Sequence, residues 1–322
     1  MRLFVTGVSG FVGRHLLESW GPGAEFHGAD RVPLDATPGG SALEGRLASY
    51  RALDVTDAVA MAVAVREIRP DVVIHLAAQS SGAASLVDPV GTYRANALGA
   101  LHLLEAVREG APEATLLLIG SADAYGSGGA SERIREDAPF RPRNPYGLSK
   151  AAQDALGALY AEIYGLRVVR TRTFSHTGPG QRPQFALAAF AEQIARVDAG
   201  VQPPEIKVGT LESVREYGDV RDVIAAYRAL VERGEPGEAY NVCTGEGHRL
   251  RDLLDRLLKL AGVEANVVSD PSRVRTHDVD HVVGDPAKIA ARTGWAPHIP
   301  LERTLTDLYQ DARARVRRET GR

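Results

Sequence analysis

Leu3-Phe4-Val5-Thr6-Gly7-Val8-Ser9-Gly10-Phe11-Val12-Gly13 joins a short apolar run to three glycines spaced three apart. Leu3 to Val5 reads as a buried strand, and Phe11, Val12, His15, Leu16 and Leu17 recur at helical spacing. Glycines between a strand and a helix let backbone amides approach a pyrophosphate at the helix N-terminus, where the dipole favours an anion. A glycine pattern alone is weak evidence, but at a strand–helix junction near residue 1 it is strong. It assigns Gly7, Gly10, Phe11, Val12 and Gly13 to a dinucleotide cofactor.

The alternation continues. Strands are expected at Glu25–Ala29, Val72–Leu76, Thr115–Ile119 and Arg167–Thr171, with helices at Ala58–Ile68, Asn96–Val107 and Ala151–Tyr164. Alternating strands and helices mean parallel strands with right-handed crossovers, and nearly all-apolar strands mean a sheet covered on both faces. The expected fold is α/β, a doubly wound parallel sheet of the Rossmann type. After Phe174 prolines and glycines are frequent, with helices expected at Phe185–Val197, Val220–Glu232, Leu250–Ala261 and Leu301–Arg318. This gives a dinucleotide-binding domain over 1–173. Residues 174–322 form mainly a smaller substrate domain, with segments returning to the first.

Composition narrows the function classes. The 322 residues are 44% hydrophobic and carry a formal net charge of −3, so no global field favours nucleic acid or a membrane. No apolar stretch approaches the ~18 residues of a membrane span, and the first apolar run enters a glycine turn instead of a signal-peptide core. Cys243, the single cysteine, permits no intramolecular disulfide and is expected to be a buried core thiol. A cytoplasmic protein fits these features. Arg313 to Arg322 reads as a solvated helix end. The cluster His277-Asp278-Val279-Asp280-His281 reads as loop, so no metal site is expected.

An acid at the end of the second strand, Asp30, can hold both hydroxyls of an adenosine ribose and repels a 2′-phosphate. Arg31 beside it can attract that phosphate. NAD(H) is therefore favoured and NADP(H) is possible. Asp54-Val55 suits the adenine, and Leu76-Ala77-Ala78-Gln79 ends a strand where the cofactor would pass. Tyr146 and Lys150 lie four residues apart at the start of a helix, on one face. An ammonium beside a phenol is expected to lower the phenol's pKa and make Tyr146 a proton donor or acceptor. Ser121 follows a central strand and can hold the oxygen that Tyr146 protonates, with Asp123 and Tyr125 on the same loop.

Together these residues resemble the extended short-chain dehydrogenase/reductase family of sugar-nucleotide epimerases, dehydratases and reductases. The matches are Thr6-Gly7-x-x-Gly10-Phe11-x-Gly13, His75-Leu76-Ala77-Ala78, Asn96 with Gly99, Ser121-x-x-x-Tyr125-Gly126 and Tyr146-x-x-x-Lys150. The second half is similar to the family's GDP-4-keto-6-deoxymannose reductases in Arg172-Thr173-Phe174-Ser175-His176-Thr177-Gly178-Pro179-Gly180-Gln181 and Val214-Arg215-Glu216-Tyr217-x-Asp219. The resemblance implies reduction of the C4 ketone of a GDP-linked 4-keto-6-deoxy sugar to GDP-D-rhamnose. It gives Tyr146 as acid, Ser121 on the sugar O4, and Lys150 on the nicotinamide ribose. It adds Phe174 to the cofactor site and Gln79, Ser175, Arg215, Arg275 and Asp278 to the substrate site, and it implies a homodimer. Ser175 stands where the family usually has asparagine, Thr276 where it has proline, and Asp278 where it has glutamate. Asp123 replaces the glutamate that serves the dehydratases as second base. The alternatives are a 4,6-dehydratase or 4-epimerase, and a non-catalytic dinucleotide-binding regulator.

Overall fold

The structure is a computed structural model that describes residues 1–37, 39–127, 133–274 and 281–321. Its centre is a parallel seven-stranded sheet. The strands are β1 (Arg2–Thr6), β2 (Glu25–Asp30), β3 (Ser49–Ala52), β4 (Val72–His75), β5 (Thr115–Ser121), β6 (Val168–Thr173) and β7 (Ala239–Val242). Their spatial order is β7-β6-β5-β4-β1-β2-β3, so the winding reverses between β1 and β4. Ligands bind at such a switch point, outside the carboxyl ends of the strands. The expected doubly wound α/β architecture is present.

Helices cover both faces. Helix α1 (Phe11–Ser19) and helix α6 (Val220–Arg233) pack on one side with Leu16, Ile224 and Leu230. Helices α2 (Ala58–Ile68), α3 (Gly99–Gly110) and α4 (Pro145–Tyr164) pack on the other with Met61, Leu103 and Tyr160. A third cluster unites α5 (Ala186–Asp198), α7 (Leu250–Ala261) and α8 (Leu301–Thr320) through residues such as Ile194, Leu254 and Leu308. Burying each large aliphatic side chain contributes about 1.5–3 kcal/mol, so the apolar residues of the strands hold both layers to the sheet.

Local signals set the element ends. Asp57 caps α2 by accepting from Ala60 N at 2.9 Å, and Arg69 in the left-handed conformation with Pro70 stops it. Asn144 caps α4 through Gly147 N at 2.8 Å, Pro145 occupies its first turn, and Gly165 ends it. Some features differ from the sequence expectation, among them a short helix at Gly40–Glu44 and a strand at His281–Val282, in a stretch read as loop. Short helices occupy Gly82–Val87 and Pro89–Tyr93, where no element was expected. The expected helix from Asn96 begins instead as a π turn, Arg94–Leu98, leading into α3. Within that turn the Asn96 side chain reaches the β4 loop and α4. Cys243 follows β7 and is buried, and burial pushes its thiol pKa up. The arginine-rich end of α8 is helical and carries ion pairs, Arg313 with Asp198 and Arg315 with Asp311.

Candidate active site

The carboxyl ends of the parallel strands share one edge, and most of the singled-out residues meet there. Gly7 has φ +71°, and a Cβ on it would lie 2.7 Å from Ala77 N and 2.9 Å from the Leu76 carbonyl carbon. Only glycine lets the β1 loop lie directly on Leu76-Ala77. Gly7 N donates to Ala29 O at 2.7 Å and Gly10 N to Gly7 O at 3.1 Å, which fixes the loop. At Gly13 a Cβ would overlap the Val8 carbonyl, so α1 starts hard against the loop. Gly10 is the N-cap and no side chain caps this helix start; no acidic residue stands in the first turn. A dipole end without a protein carboxylate, reached by a glycine loop, fits a pyrophosphate. Phe11 stacks in parallel with His176 at 6.1 Å between centroids and meets His15 edge-on at 5.3 Å.

Asp30 ends β2. It accepts from the Ser9 hydroxyl at 2.5 Å and from Arg31 N at 2.7 Å, so the ribose end of the cleft is tied to the glycine loop. Asp54 accepts from Thr56 N at 2.9 Å and the Thr56 hydroxyl at 2.8 Å. Those bonds, with a smaller contribution from the Arg31 charge, hold its carboxyl below the usual carboxylate range. Val55 is buried and packs against Gly99, where a Cβ would lie 2.7 Å from it.

The reacting cluster sits where β5 ends. Ser121 starts a one-turn 3₁₀ segment and accepts from Asp123 N at 3.2 Å. Gly147 in the first turn of α4 lies against the Asp123 carbonyl, where a Cβ would clash, so the helix meets the loop without a spacer. That contact sets Tyr146 beside Ser121 and Asp123. Burial and the Asp123 charge push the Tyr146 phenol up, and the Ser121 hydroxyl only partly offsets them. The expected lowering by Lys150 is absent because the ammonium is directed elsewhere. Lys150 Nζ donates to Ile119 O and to Gln153 Oε1, both at 2.8 Å. Burial lowers its own pKa to about 7. The phenol is therefore favoured in its protonated form, suited to giving a proton to an oxygen brought against the Ser121 hydroxyl.

Several supporting residues carried weak signals or none. Thr6 accepts from Ala77 N at 3.3 Å, and its hydroxyl shares a hydrogen bond with His75 Nδ1 at 2.8 Å. Burial, aided by the Lys150 charge, lowers the His75 pKa to about 3, which keeps the ring neutral. Both residues are polar positions ending apolar strands, a readable signal. Gln153 braces Lys150 and also donates to Ile119 O at 2.9 Å. Asn96 is fully buried. It accepts from Gln79 N at 2.8 Å, donates to Gln79 O at 3.0 Å, and donates to Ser149 Oγ at 2.9 Å. One side chain thus ties the β4 loop to the catalytic helix from a π turn.

The remaining positions are spread out. The Gln79 side-chain amide donates to Ser81 O at 3.0 Å and to the Thr92 hydroxyl at 3.1 Å, closing its own loop. Phe174 is buried in a small cluster with Tyr125, Cys243 and Val282. Ser175 is exposed, and its carbonyl accepts from Gly218 N at 2.9 Å. Arg215 belongs to a separate strand, Val214–Arg215, flanked by His248–Arg249 and His281–Val282. The adjacent Glu216 is buried and holds Thr244 N and Gly245 N at 2.8 Å, and burial raises its pKa to about 7. Arg275, Thr276, Asp278 and most of the His277–His281 cluster lie outside the described residues. Among the described residues no three histidine, cysteine, aspartate or glutamate side chains converge as a metal site.

A family model described as GDP-mannose 4,6 dehydratase matches residues 4–308. The GDP-6-deoxy-D-mannose reductase of Pseudomonas aeruginosa is 37% identical over 319 residues, covering 99% of each chain. The structure of RMD from Pseudomonas aeruginosa complexed with NADPH superposes with a TM-score of 0.83 at 34% identity, covering 98% of this chain and 99% of that one. The UDP-glucose 4-epimerase of Thermus thermophilus, in complex with NAD, superposes with a TM-score of 0.85 at 31% identity, covering 97% and 99%.

Proposed function

The chain belongs to the GDP-mannose 4,6-dehydratase family, and from that premise we propose that it reduces the C4 ketone of a nucleotide-linked 4-keto-6-deoxy sugar. GDP-4-keto-6-deoxy-D-mannose is the substrate best supported, with GDP-D-rhamnose as product, because the Pseudomonas aeruginosa relative named as a GDP-6-deoxy-D-mannose reductase aligns from end to end. The observation that carries the reading is the Ser121–Tyr146 pair, in which burial keeps the phenol protonated. A bound nicotinamide supplies the hydride. Ser121 orients the sugar O4, Tyr146 gives that oxygen its proton, and Lys150 holds the nicotinamide ribose. Arg215 and Arg275 clamp the nucleotide as fork-shaped donors to diphosphate or ribose. The glycine loop fits either NAD(H) or NADP(H), and relatives are known with each. Asp30 favours NAD(H), and Arg31 permits NADP(H).

A dehydratase must also remove the C5 proton. Asp123 stands where that second base would be, one methylene shorter than glutamate. A misplacement of ~1 Å costs a proton transfer on the order of 100-fold. The protein is therefore expected to consume stoichiometric NADH or NADPH with the 4-keto-6-deoxy sugar nucleotide, followed by absorbance. It is expected not to convert GDP-mannose to the 4-keto form at catalytic cofactor levels. Formation of that product without net cofactor use would make Asp123 a working base and the protein a dehydratase.

Lys150 gives a pH signature. Below about pH 7 it is cationic, and above it the charge is lost. If the cation assists cofactor binding, NADH affinity falls as pH rises through that value. Titration by fluorescence between pH 6 and pH 9 is expected to show the decline, and Lys150→Met is expected to bind weakly at every pH without a trend.

The partner reading is a homodimer, with no nucleic acid and no membrane. Val87 is 87% exposed and Val90 66%, and Leu148 and Ile163 are exposed at the start and end of α4. Apolar side chains on these helices suit a second copy of the chain. Among the described residues no helix is long and apolar enough to cross a membrane. A cytoplasmic setting suits a sugar-nucleotide enzyme with one buried thiol. The third apolar cluster supports reading residues 174–322 as mainly a substrate domain that lends β7 and α6 to the first.

A further inference from the structure

We infer that Arg172 is a positioning residue that sets the spacing between the Ser121 loop and the Tyr146 helix, acting through Tyr125 and Asp154. The inference rests on the reading of Ser121 and Tyr146 as the reacting pair. Arg172 lies on β6, in register with Gly120, the residue before Ser121. Its guanidinium is directed to both catalytic elements. Nη1 donates to the Tyr125 hydroxyl at 2.8 Å, and Tyr125 is four residues beyond Ser121 on the same loop. Nε and Nη2 donate to the Asp154 carboxylate at 3.0 and 3.2 Å, and Asp154 is one turn beyond Lys150 on α4. Nη1 also donates to Glu136 O at 2.7 Å. The Tyr125 hydroxyl passes the contact on, donating to Asn241 Oδ1 on β7 at 2.8 Å. The guanidinium plane lies over the Phe140 ring at 4.5 Å and the Tyr125 ring at 5.2 Å.

Every member is shielded: Arg172 is 8% exposed, Asp154 5%, Tyr125 2% and Asn241 0%. A buried ion pair seldom adds net stability over apolar residues of the same volume, but it fixes geometry well. Three polar bonds from one rigid fork, one to Tyr125 and two to Asp154, leave little slack between loop and helix. The reaction needs that, because hydroxyl and phenol must reach one sugar oxygen together. A purely structural staple would have no reason to join the two elements that carry these groups.

Tyr125→Phe tests this with the least disturbance, since it removes one hydroxyl and keeps the ring. Turnover of the 4-keto-6-deoxy sugar nucleotide is expected to fall about tenfold, with KM and NADPH affinity nearly unchanged and a larger solvent isotope effect on kcat. Arg172→Lys keeps the charge but loses the fork, and is expected to fall further. The double variant is expected to match Arg172→Lys alone, since both act through one unit. Loss of melting temperature with normal kcat per folded molecule in Tyr125→Phe would overturn the inference. A second readout does not depend on turnover. In crystal structures of wild type and Tyr125→Phe, the distance between the Ser121 and Tyr146 hydroxyls is expected to lengthen in the variant. An unchanged distance there would overturn the inference even if no tested sugar nucleotide were reduced. An inactive wild type would instead count against the proposed function.

Discussion

Tyr146→Phe is expected to lower turnover by about 10²–10⁴-fold, the range of a general acid, while leaving cofactor affinity nearly unchanged. Burial and the neighbouring Asp123 charge raise the phenol's pKa, which favours the protonated form that a reductase needs near neutral pH. Phenylalanine keeps the ring that fills the space above α4 and removes only the donor. Ser121 can still orient the sugar oxygen, and Lys150 keeps its bonds to Ile119 O and Gln153. Cofactor affinity is therefore expected to survive and the loss to fall on kcat. Steady-state rates and fluorescence titration of NADH separate the two effects. Near-normal turnover in this variant would remove Tyr146 from the proton step.

The second large effect is expected at Gly7. Alanine there must adopt φ +71°, costing roughly 1–2 kcal/mol. Its Cβ would also meet the Leu76-Ala77 backbone at 2.7–2.9 Å, and backbone moves less readily than a side chain. Overpacking adds about 1–3 kcal/mol. Melting temperature is expected to drop by roughly 5–10 °C. Dinucleotide affinity is expected to fall more than tenfold, because the loop must lift away from the β4 end that lines the same cleft. Gly23 is the control. It has φ +84° with nothing within 4 Å of an added Cβ, so Gly23→Ala tests strain without overlap. It is expected to cost some stability and to leave cofactor binding intact. Equal effects from both would mean that strain alone accounts for Gly7.

The sheet was legible because its strands are short, apolar and punctuated by glycine or proline, and because buried parallel strands have few alternatives. Gly7, Ser121 and Tyr146 were legible because each stands next to a strand end or helix start that the periodicity locates. What stayed hidden depends on contacts between segments far apart in the chain. Asn96 reaches across to Gln79 and Ser149, and nothing in the local pattern of Leu98, Leu101 and Leu104 announces the π turn from which it does so. The direction of the Lys150 ammonium was equally invisible. Four-residue spacing puts Lys150 beneath Tyr146, but Ile119 O and Gln153 decide where its charge goes.

The last strand of the sheet has a consequence for the growing chain. β6 ends at Thr173, and its neighbour β7 begins only at Ala239, after the α5 and α6 segments have been made. On the ribosome the outer rim of β6 therefore stays unpaired until translation has passed residue 242. An open rim recruits strands from other chains, and edge charges are a common defence against this. β6 carries two, Arg170 and Arg172, and their partner Asp154 on α4 has already been made when they emerge, so pairing with α4 can precede the arrival of β7.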